Sequence, residues 1–172
     1  MDKKILLLII SCISAAILTY FNIPFQWGNP NLGTTPVSII SLFTPLGGVI
    51  TALVKGISST IYTGRVYVEM AAGIGDAMMA LVTFYFVKKT SKEKAVIVGQ
   101  LSRYIFTSTF VAISISIFRD NNIGEIPLIW SNMFPAITIS IIVNVVATVL
   151  FLKLFGNKMD NFISGAYQKT YI

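Results

Sequence analysis

Residues 36–62 read PVSIISLFTPLGGVITALVKGISSTIY, and how often this stretch crosses a membrane decides the fold. Twenty-seven residues are too few for two full spans, each of which needs about 20. The stretch nevertheless contains a break. Pro45 interrupts the helical hydrogen-bond ladder, and Gly47-Gly48 behind it permits a sharp turn. Charge distribution chooses between one crossing and two. Nine of the thirteen cationic residues fall in three places: Lys3 and Lys4; Lys88, Lys89, Lys92 and Lys94; and Lys153, Lys158 and Lys169. Cytoplasmic loops collect Lys and Arg, so the three clusters belong on one side, with an even number of crossings between each and the next. A single crossing in residues 36–62 puts three spans before Lys88 and breaks that parity. The stretch therefore crosses twice, with a short or partly buried helix over residues 37–43, because non-helical backbone at membrane depth is tolerated where protein surrounds it.

Composition agrees with an integral membrane protein. The chain is 55% hydrophobic and 12% charged, with a mean hydropathy of +0.77, whereas a soluble domain carries roughly 25% charged residues. The basic pI of about 9.5 suggests nucleic acid at first sight. The lysines, however, abut apolar spans instead of forming a stripe on a soluble domain, and orientation in an anionic membrane accounts for them. With no His and a single Cys, Cys12, the chain cannot build the usual nitrogen and sulfur zinc site, an internal disulfide, or a Ser-His-Asp or Cys-His mechanism.

Outside the deciding stretch, apolar runs cover residues 5–21, 70–87, 95–118 and 127–155. The first follows Lys3-Lys4 without a convincing signal-cleavage site and is read as a retained helix. The expected fold is one all-α membrane domain over residues 1–172. It has six transmembrane helices, the second short or broken, and both termini cytoplasmic. Outer connections then fall at residues 22–35, 63–68 and 119–126, with Arg65 and Arg119 as their only cations. The first is long, rich in turn formers and carries Trp27, which suits either a solvent loop with an interfacial Trp or a lid over a ligand.

Ionisable groups inside spans are expensive and so mark candidate functional residues. Lys55 lies midway along its helix, and Arg103 about 12 Å along the fifth at 1.5 Å per residue. Glu69 and Asp76 are seven residues apart on one face of the fourth. Gly73 and Gly75 between them allow a backbone or a ligand to approach closely. Asp76 and Arg103 suit a ligand site or a structural ion pair, and Lys55 can snorkel to an interface. On the last helix, Trp130 suits an aromatic belt and Asn132 a ligand contact near the outer surface. Asn144, about 120° round the helix from Asn132, suits a hydrogen bond between helices. The first helix places small residues four apart, Ser11 with Ala15 and Cys12 with Ala16, a spacing that lets another helix come close.

Taken together, these features resemble the substrate-binding S component of energy-coupling-factor (ECF) transporters. The likeness is architectural and spans most of the chain. Residues 37–56 are similar to that family's apolar segment and Gly-containing turn into the third helix, and residues 70–76, MAAGIGD, to its fourth-helix opening. The resemblance implies a multi-pass subunit of a prokaryotic plasma membrane. Such a subunit captures a vitamin or micronutrient from outside and works with a transmembrane coupling subunit and two ATPases. Carried over by position, it points to Trp27, Glu69, Asp76, Arg103, Trp130 and Asn132 for ligand, and to Ser11, Cys12, Ala15 and Ala16 for coupling. Cobalt and nickel members use an N-terminal His; Met1-Asp2-Lys3 departs from that. Trp130, Asn132 and Pro135 are distantly similar to the last helix of thiamine-binding members, which implies a thiamine-like ligand whose cation meets Glu69 or Asp76.

No P-loop sequence is present, so the chain does not bind ATP in that way, and the resemblance implies that partners supply the energy. No cofactor is expected, and the lack of His, of G-x-S-x-G and of a dense acidic cluster speaks against an enzyme. Two other readings remain: a stand-alone permease or channel using Lys55, Asp76 and Arg103 as a relay, and a ligand-free accessory subunit.

Overall fold

The computed structural model describes residues 3–23, 26, 30–118 and 122–167; Trp27, Arg119 and Lys169 lie outside them. Among the described residues, seven helices run in the order α1 (Lys3–Tyr20), α2 (Thr34–Ser41), α3 (Pro45–Thr63), α4 (Val66–Val87), α5 (Lys92–Ser102), α6 (Phe106–Phe118) and α7 (Ile126–Tyr167). A 3-10 turn over Ile123–Glu125 leads into α7. α5 and α6 form one interrupted span, so the seven helices make six crossings. Among the described residues, four segments are long and apolar enough to cross a membrane by themselves: Lys3–Tyr20, Val66–Val87, Lys92–Phe118 and Ile123–Ile163. α2 is too short, and α3 is diluted by Lys55 and its Ser and Thr residues.

The basic clusters gather on one side of the bundle. Lys3 Nζ donates to the carbonyl of Phe162 at 3.1 Å, and Lys92 pairs with Asp160. The start of α1, the start of α5 and the far end of α7 therefore meet at one end of the bundle. The α2–α3 turn lies there too: Leu42, Phe43 and Thr44 line a cleft with Lys4 and Ile163. At the opposite end, Tyr20 of α1 meets Tyr62 of α3, and Tyr67 of α4 stacks on Phe118 of α6 with ring centroids 4.3 Å apart. The basic end is cytoplasmic by the positive-inside rule.

α2 is short because a loop does half of its crossing. Its eight residues span about 12 Å, and all are buried. The outer half is covered by the connection from α1, which folds back on itself through Ile23 N–H to Pro30 O at 2.8 Å and an antiparallel bridge between Asn22 and Asn31. Protein surrounds the short helix itself: α2 touches α1, α3, α4, α5 and α7. The break after α2 uses the expected residues. Thr44 caps α3, accepting from Gly47 N–H at 3.3 Å, with Pro45 in the first turn, where a missing N–H costs nothing.

Two glycines bring α4 against both neighbours. A Cβ at Gly73 would stand 3.1 Å from Gly56 Cα of α3, and one at Gly75 only 2.4 Å from Thr107 Cα of α6. The close approach anticipated around Gly73 and Gly75 is thus made by backbone. α1 turns its small residues inward: Ser11, Ala15 and Thr19 are buried, and Cys12 Sγ lies 3.6 Å from Thr51 Oγ1 of α3. Its outer face carries Ile5, Ile9, Ile10, Ile13 and Ile17, all exposed to the lipid side.

Two elements differ from the sequence expectation. The fifth span breaks at residues 103–105, where Arg103, Tyr104 and Ile105 donate to carbonyls three residues back and Ser108 N–H reaches Arg103 O, five back. The last helix runs twelve residues past the expected end at 155, and its 42 residues measure about 63 Å. That is about twice the hydrocarbon thickness, and contacts from Lys3 and Lys92 tie down the excess.

Candidate ligand-binding site

Midway through the bundle, three charges from three helices meet. Lys55 Nζ of α3 lies 2.6 Å from Asp76 Oδ2 of α4, and Arg103 Nε, at the α5–α6 break, lies 2.9 Å from Asp76 Oδ1. Thr107 Oγ1 of α6 also donates to Oδ1, at 3.2 Å. Asp76 is fully buried, and Lys55 and Arg103 are 6% and 5% exposed, so Lys55 does not snorkel. The glycines explain how the three reach one another. Gly73 draws α4 onto the helix that bears Lys55, and Gly75 draws it onto Thr107. Arg103 extends the network through Nη1, to Gln100 Oε1 at 3.3 Å and Ser140 Oγ of α7 at 3.0 Å. Gln100 in turn donates to Ser38 Oγ of α2 at 2.8 Å.

A cavity of about 200 Å³ opens above this network. Lys55, Arg103, Thr107, Ser140 and Asn31 supply its polar surface. Val68 and Ala72 of α4, Val111 of α6, and Met133, Ala136 and Ile137 of α7 supply apolar walls. The lining runs from Ser140 and Arg103 at mid-depth to Met133 and Val68 near the outer ends of their helices. Convergent polar groups beneath apolar walls are the usual make-up of a small-molecule site. The loop that closes one side is pinned by Asn144, which is fully buried. Its Nδ2 donates to Asn31 O and Ser140 O, each at 2.9 Å, and its Oδ1 accepts from Thr35 Oγ1 at 2.9 Å.

Other concavities lack this combination. A larger one, about 730 Å³, is a lateral groove between the α3–α4 turn and the outer end of α6, without a buried charge. Another, of about 440 Å³, lies across the loop from the first, lined by Thr19, Asn22, Asn31, Ser59, Tyr62 and Glu69 among others.

The residues singled out in the sequence divide between these places. Asp76 and Arg103 come together as an ion pair; Arg103 lines the cavity, while Asp76 is fully buried and is not part of its lining. Glu69 does not join them: it takes Arg65 Nη2 at 3.6 Å and Thr63 Oγ1 at 3.3 Å and faces the second cavity. Of the two carboxylates expected to meet a ligand cation, Asp76 already holds the chain's own Lys55 and Arg103, while Glu69 faces the second cavity. Asn132 is exposed and absent from the cavity lining, where its neighbour Met133 stands. Trp130 lies one helical turn outside Met133 and packs on Phe134, which stacks on Tyr104 with centroids 4.6 Å apart. On α1, Ser11 and Ala15 are buried within the chain, while Cys12 and Ala16 are partly exposed. Asn31, Gln100, Thr107 and Ser140 gave no signal in the sequence beyond being polar residues near or within apolar spans.

No protein-family model matches the chain, and no curated protein matches it by sequence. Among solved structures, it is similar to the S component of a bacterial ECF transporter, with a TM-score of 0.71 and 21% identity over 92% of this chain and 98% of that one. The chain therefore has the fold of an ECF S component.

Proposed function

We propose that this chain is the substrate-binding membrane subunit of an ECF-type uptake transporter in a prokaryotic plasma membrane. It takes a small nutrient of the vitamin or micronutrient class from outside. One observation carries the reading: an outward-reaching cavity among α4, α6, α7 and the α1–α2 loop, in a fold of this kind, floored by buried charges from three helices. Intramembrane charges are costly and are kept where they serve a ligand or an ion path. The walls suit a compact, partly apolar body, heterocyclic or otherwise, and the polar floor orients it.

Transport in this reading divides between chains. The subunit holds the ligand, while a transmembrane coupling subunit and two ATPases supply the work. Coupling through α1 falls to Cys12 and Ala16 at the edge of its small-residue face, since Ser11 and Ala15 are already packed inside. The test is reconstitution in vesicles. The chain alone should bind a small molecule one-to-one without accumulating it, and accumulation should need the coupling module and ATP. Accumulation by the chain alone would favour a self-sufficient permease, and absence of any bound ligand would favour an accessory subunit.

A further inference from the structure

From the charge count at the cavity floor we infer that the ligand is a small monoanion, an organic carboxylate whose charged end sits on Lys55 and Arg103. This rests on the reading of the cavity as the ligand site. Lys55, Asp76 and Arg103 carry two positive charges and one negative, so the cluster holds a surplus of one positive charge at membrane depth. The other described carboxylates do not cancel it. Glu69 faces the second cavity with Arg65, Asp160 pairs with Lys92 at the cytoplasmic end, Glu93 opens α5 at that same end, and Glu125 lies in the outer 3-10 turn. A buried charge left uncompensated is strongly unfavourable, and a single carboxylate removes the surplus, whereas a phosphate dianion would overshoot it.

The donors are in place. Lys55 spends one of its three N–H groups on Asp76, and Arg103 commits Nε and Nη1, which leaves Nη2 without a hydrogen bond among the described residues. Both side chains line the cavity, with Ser140 and Thr107 hydroxyls beside them. The volume of about 200 Å³ is below the roughly 300–1,000 Å³ of a drug-sized site, so the body attached to the carboxylate is compact. Val68, Ala72, Val111 and Ile137 make its surroundings apolar.

The experiment measures thermal unfolding of the nanodisc-embedded protein with matched probes of three charges: benzoate, benzamide and benzylammonium; hexanoate, hexanamide and hexylammonium; and nicotinate with nicotinamide. Mass spectrometry of small molecules released from the same preparation runs beside it. A carboxylate should stabilise the protein and bind about tenfold to hundredfold more tightly than its amide. Lys55→Gln should abolish that preference. Asp76→Asn, which raises the surplus to two, should increase the shift produced by the carboxylate, where a cation held by Asp76 would lose its site. If no probe acts, the charge of the co-purified molecule decides, an anion supporting the inference and a neutral or cationic molecule overturning it. Equal or stronger stabilisation by amides or amines also overturns it and leaves the binding-subunit reading intact. A protein that binds no small molecule of any charge overturns both.

Discussion

Asp76 is the residue on which the site depends, because it joins two cations that would otherwise repel each other inside the bundle. Removing one partner of a buried pair costs about 3–5 kcal/mol, mostly as the penalty of the charge left behind. Asp76→Asn leaves two such charges, and Lys55→Met leaves a balanced Asp76–Arg103 pair. Thermal unfolding in nanodiscs should therefore show a large loss for Asp76→Asn and a much smaller one for Lys55→Met. Equal losses would mean that the triad is not held by its charges. The sequence made the charged members legible, since Lys55, Asp76 and Arg103 each stand out in an apolar span. It did not tell which groups meet. Glu69 shares a helix face with Asp76, yet a single turn ending in Gly64, at φ 70°, places Arg65 and Thr63 where they capture it. Asn132, expected near a ligand at the outer end of α7, is not in this cavity's lining, to which helical phase brings Met133, Ala136, Ile137 and Ser140.

α4 works as the central element, and its glycines set its distance from α3 and α6. Their substitution should separate the two interfaces by cost. At Gly75 a Cβ meets Thr107 backbone at 2.4 Å, which no side-chain adjustment relieves, so Gly75→Ala should destabilise by about 1–3 kcal/mol. It should also weaken ligand binding, because Thr107 and the α5–α6 break shift with it. At Gly73 the contact is 3.1 Å, and Gly73→Ala should cost less in both measurements. The reverse order would contradict the packing described. The pair of glycines was visible in the sequence as a place of close approach, although periodicity does not say what approaches. The break at residues 103–105 was not visible at all. It contains neither Pro nor Gly, and it forms where Arg103 turns its guanidinium to Asp76, Gln100 and Ser140. α2 was legible for a different reason: charge parity demanded a second crossing within too few residues.

For the whole molecule, that parity yields a direct topological expectation. In a Cys12→Ser background, Asn122→Cys at the outer end should react with a membrane-impermeant maleimide in intact cells. Lys89→Cys and Lys158→Cys should react only after permeabilisation. Labelling of all three from one side would undo the six-crossing arrangement. The global fold could be read from the sequence because the cost of misplaced charge constrains the entire chain at once. The cavity could not, because it arises where a loop, a broken helix and one phase of α7 converge. A ligand-binding subunit of this design must hold its ligand in that cavity. The most direct measurement is native mass spectrometry of the nanodisc-embedded protein, comparing wild type with Ala136→Trp, which fills the cavity, and with Asn132→Ala, which lies outside it. A one-to-one small molecule should be retained by wild type and Asn132→Ala and lost from Ala136→Trp, with all three folded by circular dichroism. Retention by folded Ala136→Trp, or loss confined to Asn132→Ala, would place the ligand elsewhere and contradict the account.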